Sequence, residues 1–385
     1  MSVADKLTVI AENVPRVYGA GYTEGEKIAH KKPYLDTSKI TDFSRFFYSN
    51  TYTDEQIETI DTSNGKIFNY VFKSTMTKIP LLDTSNGVNF ESMLSGCNSI
   101  TTIPLFNTSK GENFKWMFYG CKYLSTVPLL DTSNGTNFYG MFYGCDYYLK
   151  TIPLLDTSKG TNFESMFYNC YALTSIPALD ISSATTLSQM FCNCKKLVTI
   201  PNLNTSNCTN FQTMFSGCSI LENFPEMDTS KATSFMQMFM NCAKLKTIPN
   251  YNTSNVTSFY NCFSGCTSLE TAPEFDTSNC TNFGAMFNKC SALKTIPKIN
   301  LTKGTSFSNT FASCTALENI TLEGTINANI SFSNSTKLTH DSLMNIINAL
   351  GTTTTKKTLT LGSTNLAKLT STEKAVATGK GWTLA

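Results

Sequence analysis

The chain has 385 residues, with 30 Lys and Arg against 28 Asp and Glu and a formal net charge of +2. Only Arg16 and Arg45 are arginines, so the basic, guanidinium-rich surface of a nucleic-acid binder is not expected. No run of about 18 apolar residues occurs, which argues against membrane insertion.

The opening, MSVADKLTVIAENV, carries Asp5 and Glu12 and lacks an apolar h-region, so it does not read as a secretory signal. Residues 1–31 form a first segment. A short amphipathic helix is expected over 2–12, with Val3, Leu7, Ile10 and Val14 at steps of four, three and four. Pro15 ends it, and Gly19, Gly21 and Gly25 follow. This segment is either a loosely docked arm or an attachment peptide whose stripe is buried in a partner, with homo-oligomerisation through residues 1–15 as one form. Residues 32–82 read as two degenerate capping coils. In the first, Leu35-Asp36-Thr37-Ser38 leads to Phe43, Phe46 and Phe47, with Asn50 where later coils have Cys. In the second, Ile60-Asp61-Thr62-Ser63 leads to Phe68, Val71 and Phe72, with Thr75 in that place.

Residues 83–322 are a regular repeat. Cys97, Cys121, Cys145, Cys170, Cys194, Cys218, Cys242, Cys266, Cys290 and Cys314 recur at steps of 24 residues. The one step of 25, from Cys145 to Cys170, contains an extra residue in Asp146-Tyr147-Tyr148. A fixed period in this range is the mark of a solenoid whose units cannot fold alone. Phe163, Met166 and Phe167 stand for three columns that share one face of an expected helical turn. Thr161 and Glu164 match a capping box at its start. Leu173 and Ile176 read as a short strand, which Pro177 and its equivalents, from Pro80 to Pro297, must end. Asp156-Thr157-Ser158 is then a turn. Residues 323–385 read as a different cap: a helix over 341–350 closed by Gly351, a strand over 357–361, a helix opened by the capping box of Thr370 and Glu373, and a last strand over 381–384.

Several columns carry possible chemistry. Ten of the 14 cysteines belong to the repeat column. Equivalent side chains about 4.8 Å apart fit buried free thiols better than disulfides. Zinc is the sharper alternative, but Cys192 and Cys194 have the wrong spacing and no histidine lies near. Cys208 and Cys280 are three coils apart and cannot pair. The Asp/Asn column containing Asp83, Asn107, Asp131 and Asp156 is read as turn-forming, with a calcium ladder as the other reading. Glu222, Lys246, Glu270, Lys294 and Glu318 alternate in sign and are expected to pair across coils. The candidate ligand surface lies earlier: Trp116, Tyr119, Tyr123, Tyr139, Tyr143, Tyr147, Tyr148, Tyr168 and Tyr171, with Leu105, Leu129 and Leu154 following proline. Tyr119, Tyr143 and Tyr168 should stack as a ladder whose faces suit sugar rings; copying during repeat duplication is the plain alternative. With only His30 and His340, no nucleophile motif, phosphate loop or metal triad, the chain does not read as an enzyme and calls for no cofactor.

The unit TNFxxMFxxCxxLxTIPxLDTS, over roughly residues 35–320, resembles the BspA-like bacterial surface-protein repeats, a divergent branch of the leucine-rich repeats. The resemblance implies an α/β solenoid: right-handed, of about 12 coils, with a parallel strand ladder opposite short helical turns and an α/β C-terminal cap. It also implies surface display, adhesion and partner binding. The opening MSVADKLTVIAENVPRVYGAGYTEG resembles N-terminal segments of phage and prophage tail-associated proteins. Together these imply a virion protein, attached to a tail or baseplate protein through its N-terminus and contacting a host surface glycan or protein through the solenoid. A bacterial cell-surface adhesin is the alternative, and a purely structural virion component the second.

Overall fold

The computed structural model describes residues 37–48 and 60–385. The stripe Val3, Leu7, Ile10 and Val14 lies outside the described residues, as do Leu35, Asp36 and Asn50. The described chain winds as a stack of coils. Isolated parallel bridges step along it from Asp42 to Ile67, Asn89, Asn113, Asn137 and Asn162, and onward to Ser306. The column that provides these rungs is the residue before each core Phe.

The segment from that Phe to the Cys is not the helical turn the apolar spacing predicts. Alternate N–H groups donate to the next coil: Phe90 to Asn113 O, Ser92 to Lys115 O, Leu94 to Met117 O and Gly96 to Tyr119 O. The residues between them close turns within the coil, as Met93 N–H does on Phe90 O. The backbone achieves this by turning left-handed twice per coil. Ser92, Trp116, Ser165, Gln189 and Thr213 have φ of 54° to 60°, and Gly96, Gly120 and Gly217 follow four residues later in their coils. A left-handed residue ends a right-handed helix, so a spacing of three and four here reports a hydrogen-bonded turn stack. The expected capping box is also absent. Asn162 Oδ1, not Thr161, accepts the Glu164 N–H at 3.0 Å, while Thr161 Oγ1 donates to Thr136 O in the coil before.

The expected strands are mostly missing as well. Cys170, Leu173, Ile176 and Leu179 are buried at every third position. A pleated strand alternates with period two, whereas period three is that of polyproline II. Among the described residues of the stack a paired strand forms only late, where β1 (Thr295–Asn300) pairs in parallel with β2 (Asn319–Glu323). Pro297 lies inside β1 rather than ending it. The register shifts between Ile296 and Ile299, so this stretch carries a bulge, a place where proline is tolerated and which keeps both isoleucines buried.

Rings fill the interior. Phe43, Phe68, Phe90, Phe114, Phe138 and Phe163 stack nearly parallel at 5.4 to 5.8 Å. A glycine three residues before each of the last five makes room for this. A Cβ on Gly135 would stand 2.5 Å from Phe138 Cζ and 3.1 Å from Phe114 Cε2. Where that column holds Cys208, Ala232 and Val256, the rings Phe211, Phe235 and Phe259 meet edge-on, at 70° and 85°. Cys208 and Cys280 thus take the place of this glycine. A second ring column, from Phe118 through Phe142, Phe167 and Phe191 to Phe311, passes into the cap at Phe332, 4.6 Å away. Buried threonines tie the turns together: Thr84, Thr108 and Thr132 donate to the carbonyls of Asn107, Asp131 and Asp156 at 2.7 to 2.8 Å.

The C-terminal region contains β3 (Ile330–Ser331), α1 (His340–Asn348), β4 (Lys357–Thr360), α2 (Gly362–Leu366), α3 (Ser371–Gly379) and β5 (Trp382–Leu384), with a parallel sheet in the order β3-β4-β5. Neither β3 nor α2 was expected from the sequence pattern. Helix α1 lies on the last coil and satisfies its open edge with side chains. Ser342 Oγ accepts the Ile320 N–H at 3.2 Å, and Asn345 Oδ1 accepts the Leu322 N–H at 2.7 Å. Thr339 caps α1, and His340 Nε2 sits 2.8 Å from Glu373 Oε1. Glu373 and Thr370 form the capping box of α3.

Candidate binding surface

Side chains on the turn stack and on the segment after it alternate between core and solvent within each coil. The rings that leave the core form a continuous stripe along the axis. Tyr119 and Tyr143 stack at 5.0 Å and 25°, and Tyr143 and Tyr168 at 4.5 Å and 10°. The ladder therefore exists, with Tyr143 held between Tyr119 and Tyr168. Tyr143, the middle ring, is thereby closed on both faces by its neighbours. Burial and the neighbouring phenols push the Tyr143 hydroxyl up to about 12.

Trp116 is half-buried and has a structural part to play. It lies across the next coil, where a Cβ at Gly140 would meet its Cδ1 at 2.5 Å. Its ring meets Tyr139 edge-on at 5.4 Å, and the Lys115 ammonium stands 4.4 Å from its centroid. Lys115 also pairs with Glu91 at 3.3 Å.

A separate group surrounds the insertion. Tyr123 is 45% exposed, Tyr147 52% and Tyr148 54%. Tyr123 lies 5.6 Å from Tyr147 at 55°, and 5.8 Å from Tyr148 at 28°. Tyr171, one coil on, is half-buried beneath the Lys195 ammonium at 4.5 Å.

Leu105, Leu129 and Leu154, with Leu81 before them, are 60% to 69% exposed. They form their own stripe on the next segment of each coil, separated from the tyrosines by buried residues such as Leu124 and Val127. The twelve residues grouped by the sequence pattern thus fall into three places: the stacked ladder with Trp116 and Tyr139, the cluster at the insertion with Tyr171, and the leucine stripe.

Other columns serve the scaffold. Asp156 Oδ1 accepts the N–H and hydroxyl of Ser158 at 3.0 and 2.7 Å, which holds its carboxyl below the usual range. Asp83, Asp131, Asp228 and Asp276 form the same turn. Beside it runs a ladder missed in the sequence: Asn134 Nδ2 donates to Ser109 O, and Lys159 Nζ to Asn134 Oδ1 at 2.6 Å. Asn or Lys three residues after most members of the Asp/Asn column was its signal. The cysteines are free and buried. The ten of the repeat column are more than small hydrophobes, for each donates to a carbonyl of the coil before, as Cys170 Sγ does to Phe142 O at 3.0 Å. Burial raises the Cys97 and Cys314 thiols to about 12. In the Glu/Lys column Lys294 and Glu270 pair at 2.8 Å; on so exposed a surface this adds little, and register is held by the backbone ladder. Among the described residues no group of three or more His, Cys, Asp or Glu is placed to hold a metal ion, and no helix is long and apolar enough to cross a membrane.

Overlapping stretches of the chain, residues 22–129, 88–199, 113–226, 174–271 and 210–324, match a family described as "Mycoplasma protein of unknown function, DUF285". No curated protein matches. Among solved structures, a leucine-rich repeat protein from Bacteroides ovatus is 18% identical, with a TM-score of 0.38, over 83% of this chain and 87% of that one. The plant peptide hormone receptor RGFR1 in complex with RGF2 is 11% identical, with a TM-score of 0.25, over 74% of this chain and 53% of that one.

Proposed function

The chain belongs to the DUF285 family, and from that footing we propose that it is a non-enzymatic recognition protein of the BspA-like, leucine-rich-repeat surface type. One observation carries this reading. Beside the exposed leucine stripe, aromatic side chains are exposed together in two successive coils, at Tyr123, Tyr147 and Tyr148. Exposed large apolar groups in a cluster mark a contact surface, and a solenoid holds them at fixed spacing. The coils in which they sit are tied by backbone hydrogen bonds on both sides, so the surface is presented ready-made, which lowers the ordering cost of binding.

Protease shaving of intact cells that produce the protein, followed by mass spectrometry, tests its placement. Peptides from residues 83–322 released from unbroken cells are the expected result. Recovery only in purified virions would overturn the cell-surface reading and favour the tail-associated one. That reading came from residues 1–25, which lie outside the described residues. Binding of the purified, labelled full chain to host or neighbouring cells tests recognition itself; a chain that binds no cell surface would refute it.

A further inference from the structure

We propose that the tyrosine cluster at the single insertion in the period is a carbohydrate subsite, in which Tyr147 and Tyr148 offer ring faces to a sugar and Asp146 accepts hydrogen bonds from its hydroxyls. This rests on the recognition reading above and gives it a ligand class.

The insertion is the one break in an otherwise constant step from Cys97 to Cys314. Cys145 and Leu149, which flank it, are fully buried like their equivalents. The core positions are therefore kept, and the added residue is accommodated at the surface. It is also pinned. The Tyr147 N–H donates to Lys122 O at 3.0 Å in the coil before, and the Ala172 N–H donates to Asp146 O at 3.1 Å from the coil after. Copying of a unit explains the stacked tyrosines, since Tyr119, Tyr143 and Tyr168 share a column. It does not explain an extra residue that places two tyrosines, each more than half exposed, beside Tyr123. Leaving two such rings in water forgoes the burial that holds the stacked phenylalanine rings of the core.

Tyrosine clusters serve more than one ligand chemistry, and the distances decide between them. A quaternary ammonium group needs faces set apart around it. Here Tyr123 stands 5.6 and 5.8 Å from Tyr147 and Tyr148, in contact with both, so no cation fits between it and either ring, and the Lys122 charge that acts on Asp146 would repel one beside them. A wholly apolar partner would leave Asp146 desolvated without compensation. That carboxylate accepts no hydrogen bond among the described residues. Burial raises its pKa, and Lys122 opposes the rise. A sugar uses both halves of the site: its apolar C–H face lies on a ring, and its hydroxyls need an acceptor and a donor at the edge, which Asp146 and Lys122 supply. The stacked ladder occupies a separate column and is not part of this site.

The test uses the full chain, fluorescently labelled, on a printed array of bacterial and mammalian glycans, with titration of the strongest binder. Binding to a subset of the array is expected. It should weaken by about tenfold or more in the Tyr147→Ala/Tyr148→Ala variant and in a variant lacking Tyr148, which restores the regular step. It should survive Tyr119→Ala with Tyr168→Ala. Near-UV circular dichroism checks that each variant keeps its packing, and Asp146→Asn, an isosteric change, tests the acceptor without touching a ring. Glycan binding that ignores Tyr147, Tyr148 and Asp146 would overturn the proposal. So would a chain that binds cells but no glycan; that result leaves the recognition reading intact and assigns the partner to protein. A chain that binds neither would overturn both.

Discussion

At the scale of the residue, the scaffold shows its logic where it breaks its own rule. The buried Thr132 hydroxyl donates to Asp156 O at 2.7 Å, but the equivalent Thr157 hydroxyl has no partner. The coil that should accept from it carries Ile181 in place of threonine and Leu187 in place of phenylalanine, both fully buried. Removing a made hydrogen bond and removing an orphaned hydroxyl differ in sign. Thr132→Val should therefore cost about 1–2 kcal/mol, and Thr157→Val should be neutral or stabilising by a similar amount. Urea unfolding of the two variants side by side checks this, and equal losses would contradict it. The sequence showed both substitutions in that coil, yet which hydroxyl each one orphans depends on the next coil's carbonyl. Glycine had the same double meaning. Gly135 belongs to a column visible in the sequence, but only the stacked rings of Phe114 and Phe138 show why a side chain is refused there.

At the scale of the element, burial columns were legible and backbone conformation was not. Phe163, Met166 and Phe167 are core residues, as their spacing implies. The same spacing suits a helix and a turn stack, because both return side chains to one face after three or four residues. The choice is made by hydrogen bonds to a neighbouring coil and by left-handed residues such as Trp116 and Thr213, which carry no sequence signal of their own. The cap has its own economy. Asn345 of α1 satisfies the Leu322 N–H on the last strand at 2.7 Å. Asn345→Ala should destabilise the cap by about 1–3 kcal/mol, whereas the exposed Asn348 should tolerate alanine at close to no cost. Emission from buried Trp382 during urea unfolding, in a Trp116→Phe background, reads the cap alone. An Asn345→Ala cap as stable as the Asn348→Ala one would show that the edge N–H finds another partner.

At the scale of the whole molecule, each coil bonds to the one before and the one after through the same ladder. Stability should therefore be close to a sum of coils and their interfaces. Deletion of residues 205–228, a complete period, should leave a folded protein with unchanged near-UV circular dichroism and a denaturant m-value reduced roughly in proportion to the surface removed. Deletion of residues 205–216, half a period, should abolish cooperative unfolding, because every column downstream then faces the wrong side. If both deletions behave alike, the nearest-neighbour picture fails. The candidate surface belongs to this scale too. The tyrosines were visible as a cluster in the chain, but their division into a closed ladder, an open group at the insertion and a separate leucine stripe is a product of how three coils sit on one another.

The amino-acid sequence by itself determined the period, the columns that fill the core, the turn chemistry of the Asp column and the resemblance to surface repeats. These follow from composition at fixed spacing, and spacing is a one-dimensional property. Tertiary structure alone decided that the helical spacing is a turn stack, that the strand segment is buried with period three, and that Tyr119, Tyr143 and Tyr168 stack on one another while Tyr147 and Tyr148 stand more than half exposed. Each of those outcomes depends on a partner about 24 residues away, and a local pattern cannot show which group of the next coil will meet it.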